Sequence, residues 1–150
     1  MITMDFATQA DIPALCGLLD LLFTQEAEFQ PDRDAQQRGL AAIIGNPAVG
    51  HILVARQDHA VVGMANLLYT VSTALGGKVA LLEDMVMAPQ VRGQGMGQQL
   101  LGAAIRHAQE QGCLRITLLT DTGNHVAQAF YKSMGFAASG MLPMRLMLPE

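Results

Sequence analysis

Tryptophan is absent, and cysteine is scarce: Cys16 and Cys113 are the only two in 150 residues. Both sit in apolar patterns, so no disulfide framework is indicated and neither reads as a nucleophile. Basic residues are also few. Nine Lys and Arg against thirteen Asp and Glu leave a formal charge of −4. No Lys/Arg cluster occurs, which argues against nucleic acid as a main partner. Hydrophobic residues make up 51 % of the chain, yet no run of about 18 residues is free of polar side chains, so neither a spanning helix nor a membrane partner is expected. Met1-Ile2-Thr3-Met4-Asp5-Phe6 shows no basic leader and no small-residue cleavage site, and a cytoplasmic location is expected. His51, His59, His107 and His125 have no metal-ligand spacing, so no metal is expected. Repeats, low-complexity tracts and linkers are missing, which favours one domain over 1–150.

What the chain does have is ordered hydrophobic patterning. Ile2 to Phe6 alternates as a strand, and Thr8 with Asp11 forms a shortened capping box. Ile12, Leu15, Cys16, Leu19, Leu22 and Phe23 recur at helical spacing, and a second helix is expected from Asp34 to Ile44, ended by Gly45-Asn46-Pro47. Strands follow at His51–Arg56, Ala60–Val71 and Lys78–Met87, with turns at Asp58-His59 and Gly76-Gly77. A helix then carries Met96, Leu100, Leu101, Ala104, Ile105 and Ala108 and stops near Gly112. Leu114 to Leu119 reads as a short buried strand. Asn124 caps a last helix to about Met134, with Gly135 at its left-handed end. A terminal strand is expected from Phe136, with Met141–Leu148 able to pair with it. The order is that of an α/β or α+β chain, antiparallel strands first and a strand–helix–strand crossover later.

Three segments stand out chemically. In Gln90-Val91-Arg92-Gly93-Gln94-Gly95-Met96-Gly97, three glycines at alternate positions strip side chains from a strand-to-helix turn. Backbone N–H groups can then approach a ligand, and the positive end of the helix dipole points at it, as a pyrophosphate cradle requires. No Lys follows to make a P-loop, and Gln98 or Leu100 stands where a dinucleotide fingerprint needs glycine or alanine. The pattern Q/R-x-x-G-x-G/A fits twice, from Gln90 to Gly95 and from Arg92 to Gly97. Downstream, Asn124, Ala127, Phe130, Tyr131, Gly135 and Phe136 fall in the order N-x-x-A-x-x-F-Y-x-x-x-G-F. Asn124, Ala127 and Tyr131 share a helix face, with a small residue between two polar ones. Upstream, Leu82-Glu83-Asp84-Met85-Val86-Met87 places carboxylates in an apolar strand. Strict alternation would put Glu83, Met85 and Met87 on one sheet face and Asp84 and Val86 on the other.

Together these segments resemble the GNAT family of N-acetyltransferases, and the resemblance runs over much of the chain. It implies a mixed, mostly antiparallel twisted sheet with splayed central parallel strands and helices on both faces. It implies acetyl-CoA as co-substrate, held by Arg92, Gly93, Gln94, Gly95, Met96 and Gly97, by the strand backbone of Met85, Val86 and Met87, and by Asn124, Ala127 and Phe130. A backbone N–H near Met85 to Met87 would meet the developing oxyanion. Glu83 is then the base beside the reacting amine, with Asp84 as alternate, and Tyr131 the acid for the departing thiol. Bland readings stay open at this stage: Arg92 as a solvated charge, Tyr131 as a core aromatic, Glu83 as an edge carboxylate.

The implied reaction is direct acetyl transfer to a primary amine. An acyl-CoA-binding sensor without turnover and a transferase of a bulkier acyl group remain alternatives. The acceptor, a small-molecule or peptide amine, is not specified. The family shapes that side with the region Phe23 to Gly50, where Glu26, Glu28, Asp32 and Asp34 would attract a cation or simply face solvent. A homodimer is expected from the apolar terminal strand.

Overall fold

A computed structural model describes residues 1–25 and 30–150; Glu26 and Glu28 therefore lie outside the described residues. The chain forms two compact units, Met1–Leu119 and Thr120–Glu150.

The first unit is built on five strands, β1 (Ile2–Phe6), β2 (Gly50–Gln57), β3 (Ala60–Ser72), β4 (Gly77–Met87) and β5 (Ile116–Leu118), paired in that order. The first three pairings are antiparallel and β4–β5 is parallel. The β2–β3 hairpin turns on Asp58 and His59, both at positive φ (48° and 75°), the twist that suits right-handed strands. Helices α1 (Ile12–Gln25) and α2 (Arg33–Ile44) precede β2, and α3 (Met96–Glu110) connects β4 to β5. Thr8 N–H donates to Asp11 Oδ2 at 2.8 Å, so the capping-box residues close a short 3₁₀ turn ahead of α1.

Cross-strand partners project to the same face of a sheet, which fixes the layers. Asn66 of β3 lines a cavity with Leu19 of α1 and Leu40 of α2, so α1 and α2 cover the Asn66 face. Gly63, of opposite parity, lies against Leu100 of α3. Helices thus cover both faces. The core is largely apolar: Leu15, Met64, Leu67, Met96, Leu100 and Leu101 are fully buried. Cys16 is buried and Cys113 half-buried, both free, and burial raises both thiols. Neither is a ready thiolate.

The second unit contains α4 (His125–Ser133) and no strand. The expected terminal strand at Phe136 and its Met141–Leu148 partner are not formed; 136–150 has no regular structure. Pro143 and Pro149 remove backbone donors, and Ala137-Ala138-Ser139-Gly140 has little strand preference. The expected β5 is also shorter, although Leu114 N–H still donates to Lys78 O and Ala80 N–H to Arg115 O, each at 2.9 Å.

Candidate active site

The centre of the first unit is an irregularity in β4. Asn66 pairs with Glu83 and Met64 with Val86, so Asp84 and Met85 together oppose the single residue Ala65. Asp84 takes φ = +48°, a left-handed conformation that Asp tolerates better than most residues. This is a β-bulge, and it overturns the strict alternation expected for β4. Glu83 and Val86 share the Asn66 face through their partners, whereas Met87, opposite Gly63, lies on the α3 face. Asn66 Nδ2 donates to Asp84 Oδ2 at 3.1 Å, so both carboxylates stand on the side of α1 and α2.

The bulge lies just past the last pairing of β4 with β5, a ladder that stops where β5 itself ends at Leu118. Pairing with β5 ends at Leu82↔Leu118, while β4 continues to Met87. Within the first unit, Glu83 to Met87 has no strand neighbour on that edge, and its outward backbone groups are available to an extended ligand. Met85 and Met87 are half-buried and Val86 is buried.

The strand leads directly into the glycine turn. Pro89–Val91 makes one 3₁₀ turn; Gly93 and Gly95 both sit at φ = +78°, and Gly95 is the N-cap of α3. Gln99 N–H is the first to reach back, to Gly95 O at 3.2 Å, so the N–H groups of Met96, Gly97 and Gln98 precede the helical ladder. A Cβ built on Gly93 or Gly95 meets nothing within 4 Å, so the space before the helix is open. Arg92 donates from Nε to Met87 O at 3.1 Å, which ties the turn to the end of β4 and leaves its terminal nitrogens outward. Gln94 Nε2 donates to Gln90 O at 3.2 Å and helps close the same loop. Such a turn suits an anionic phosphate group.

Burial, then the neighbouring Asp84 charge, raises the Glu83 pKa. Burial also raises Asp84, partly offset by the Asn66 hydrogen bond. Glu83 keeps solvent access, yet the protein around it strips enough water to raise its pKa. A carboxylate of this kind is a stronger proton acceptor than a free one.

In the second unit, Asn124 is the N-cap of α4 and its Oδ1 accepts from Ala127 N–H at 3.1 Å, leaving its Nδ2 donors free of the cap. Gly135 at φ = +100° lets Phe136 N–H reach Tyr131 O and Gly135 N–H reach Lys132 O, each at 3.1 Å. This is a Schellman ending. It brings the Phe136 ring edge-on to Tyr131, centroids 5.8 Å apart, while Phe130 sits 5.4 Å away. The final Gly-Phe of the segment therefore fixes the Tyr131 ring. Burial raises the Tyr131 phenol above its ordinary range, so it holds its proton at neutral pH.

Two residues escaped the sequence reading. Asn66 is 2 % and Gln36 6 % exposed. Both line a cavity of about 320 Å³ together with Asp84, Asp32 and the apolar Leu19 and Ile43. Their signals were present: Asn66 is a lone amide in an apolar strand, and Gln36 shares a helix face with Leu40 and Ile43. Of the acids noted between Phe23 and Gly50, Asp32 caps α2 by accepting from Ala35 N–H at 3.2 Å, and Asp34 lies in its first turn.

No helix among the described residues is long and apolar enough to cross a membrane. The Acetyltransferase (GNAT) family pattern matches residues 14–136. The aminoalkylphosphonate N-acetyltransferase of Salmonella typhimurium is 30 % identical over 89 % of this chain and 83 % of its own length. A solved integron cassette protein from the mobile metagenome of Cole Harbour Salt Marsh is 27 % identical, with TM-score 0.84 over 98 % of this chain and 91 % of that one. An aminoglycoside N-acetyltransferase solved in complex with CoA shares the fold, with TM-score 0.82 at 18 % identity over 98 % of this chain and 95 % of that one. The mixed sheet and the family match agree: the chain belongs to the GNAT family and is an acyltransferase.

Proposed function

We propose that the protein transfers an acetyl group from acetyl-CoA to a primary amine by direct attack, with Glu83 as base. The observation that carries this reading is the continuity of one surface. The edge of β4 opened by the Asp84 bulge runs straight into the glycine turn at the N-terminus of α3. The residues fit the co-substrate: Met85 to Met87 offer backbone groups to amides, and Arg92, Gly93, Gln94, Gly95, Met96 and Gly97 offer N–H groups and a cation to phosphates. Asn124, Ala127 and Phe130 would flank the slender arm, in keeping with the resemblance of their segment. When bound, acetyl-CoA supplies the acetyl group as an activated thioester.

The residues supply proton handling. An alkyl ammonium has a pKa near 10.4, so freeing its lone pair at pH 7 costs about 4.6 kcal/mol. Glu83, raised by burial and by Asp84, takes that proton directly or through one water. The resemblance of its own segment is what assigns Tyr131 the proton for the departing thiolate. Because a thiol of pKa near 8.5 leaves fairly readily, this second role is the smaller one. No covalent enzyme intermediate is required, consistent with two thiols kept neutral by burial.

The test is Glu83→Gln. This variant should bind acetyl-CoA like the parent while kcat falls by about 10²–10⁴, the usual scale for losing a general base. In the parent, kcat/KM should rise with pH through a pKa above the ordinary Glu range, because only ionised Glu83 accepts a proton. An unchanged kcat in Glu83→Gln would remove Glu83 from the chemistry.

A further inference from the structure

The cavity between α1, α2 and the β3–β4 ladder holds two buried acceptors without partners. Asn66 Oδ1 and Gln36 Oε1 have no hydrogen-bond partner, and both residues line the cavity. The amide orientations are set by their other ends. Asn66 Nδ2 donates to Asp84 Oδ2 at 3.1 Å, and Gln36 Nε2 donates to Asp20 Oδ1 at 3.0 Å. Flipping either amide would set its oxygen against a carboxylate, so both NH₂ groups face the carboxylates and both oxygens are left wanting a donor. Leaving buried acceptors unmet is costly, and such groups call for an explanation.

The rest of the lining narrows the answer. Asp84 brings negative charge, Leu19, Leu40 and Ile43 bring apolar walls, and none of the described lining residues is basic. Arg33 on α2 is held by Asp20 at 2.8 Å. The pocket therefore offers acceptors, negative charge and apolar walls, and its described lining residues offer no cation to an anion. Glu83, the proposed base, is the cross-strand partner of Asn66, so the reacting nitrogen and the cavity are neighbours.

We infer that this cavity is an acceptor-recognition pocket that takes a second ammonium group, carried on an apolar spacer from the amine being acetylated, with Asn66 Oδ1, Gln36 Oε1 and Asp84 receiving its N–H donors. The preferred acceptor class is then the α,ω-diamine. This goes beyond the acetyltransferase reading and rests on it. It also separates this chain from a phosphonate-using enzyme, since a phosphonate would bring more acceptors to a site that already has too many.

The test has two stages on the full chain. Calorimetry with acetyl-CoA comes first. Thiol release is then measured with diaminopropane, diaminobutane and diaminopentane, with butylamine, and with aminoethylphosphonate. At least one diamine should exceed butylamine in kcat/KM by about ten- to a hundredfold, the size of one hydrogen bond to a charged donor, and aminoethylphosphonate should be the poorest. In Asn66→Leu and in Gln36→Met the ratio of diamine to butylamine should fall by about tenfold or more, whereas a simple folding defect would lower both together. Acetyl-CoA binding combined with equal use of butylamine, preference for the phosphonate, turnover of no diamine, or an unchanged ratio in both variants would overturn the pocket assignment and leave the family reading standing. Failure to bind acetyl-CoA would overturn the parent reading, and this one with it.

Discussion

The substitution Gly95→Ala separates ligand exclusion from backbone strain, and the structure provides its own control. Gly95 sits at φ = +78° with nothing within 4 Å of a built Cβ. Alanine there suffers no clash, only the left-handed backbone penalty of about 1–2 kcal/mol. Gly112, beyond the other end of α3, sits at φ = +80° and is equally open. Helix α3 spans fifteen residues, so more than about 20 Å separates the two glycines at about 1.5 Å per residue. Gly95→Ala and Gly112→Ala should therefore lose similar stability, visible as about 2–8 °C in Tm for a chain of this size. Their effects on the co-substrate should differ. The Gly95 methyl group projects into the space before the first free N–H groups, where phosphate oxygens are proposed to lie. Loss of one charge-assisted hydrogen bond there is worth about 1.5–3 kcal/mol, or about 10- to 150-fold in acetyl-CoA Kd. Calorimetry on both variants beside the parent reads the contrast. Equal acetyl-CoA affinity in the two would refute the phosphate cradle, because strain alone would then explain everything seen.

Two further outcomes are expected. Tyr131→Phe keeps the ring packed between Phe130 and Phe136 and should lower kcat near the bottom of the general-acid range, about 10²-fold; steady-state kinetics showing unchanged kcat would remove the acid role. Asp11 is held at a pKa of about 2 chiefly by Arg56, in a pair whose side chains are 12 % and 18 % exposed. A depressed folded pKa stabilises above the unfolded value of 3.8 and fades as pH falls through about 2. Asp11→Asn should thus cost about 2 kcal/mol at neutral pH, and the gap in denaturant unfolding should close under strong acid. A gap that persists below pH 2 would show that the pair does not act through this linkage.

Much of the fold was legible because local signals agreed with one another. The Thr8–Asp11 box, the glycine end of α2 and the two positive-φ hairpin residues Asp58 and His59 each marked a boundary that the structure keeps. The glycine turn was legible as a turn because alternate glycines permit the positive φ that Gly93 and Gly95 adopt. The β4 bulge was not. Alternation assumes a regular strand, and the left-handed Asp84 shows only in the register of β4 against β3. That one residue reassigns the faces of Val86 and Met87 relative to Glu83. The cavity was hidden for a related reason: Gln36 and Asn66 lie thirty positions apart in sequence and meet only once α2 packs on the sheet. The terminal segment misled in the other direction, since its apolar residues suggested pairing that Pro143 and Pro149 oppose.

The most direct test of the central claim is CoA thiol release from acetyl-CoA across a panel of primary amines, with mass detection of the acetylated product. The account predicts thiol and N-acetylated amine appearing in equal amounts, at a rate that rises with pH as Glu83 ionises. Folded protein that neither binds acetyl-CoA nor acetylates any amine would contradict it.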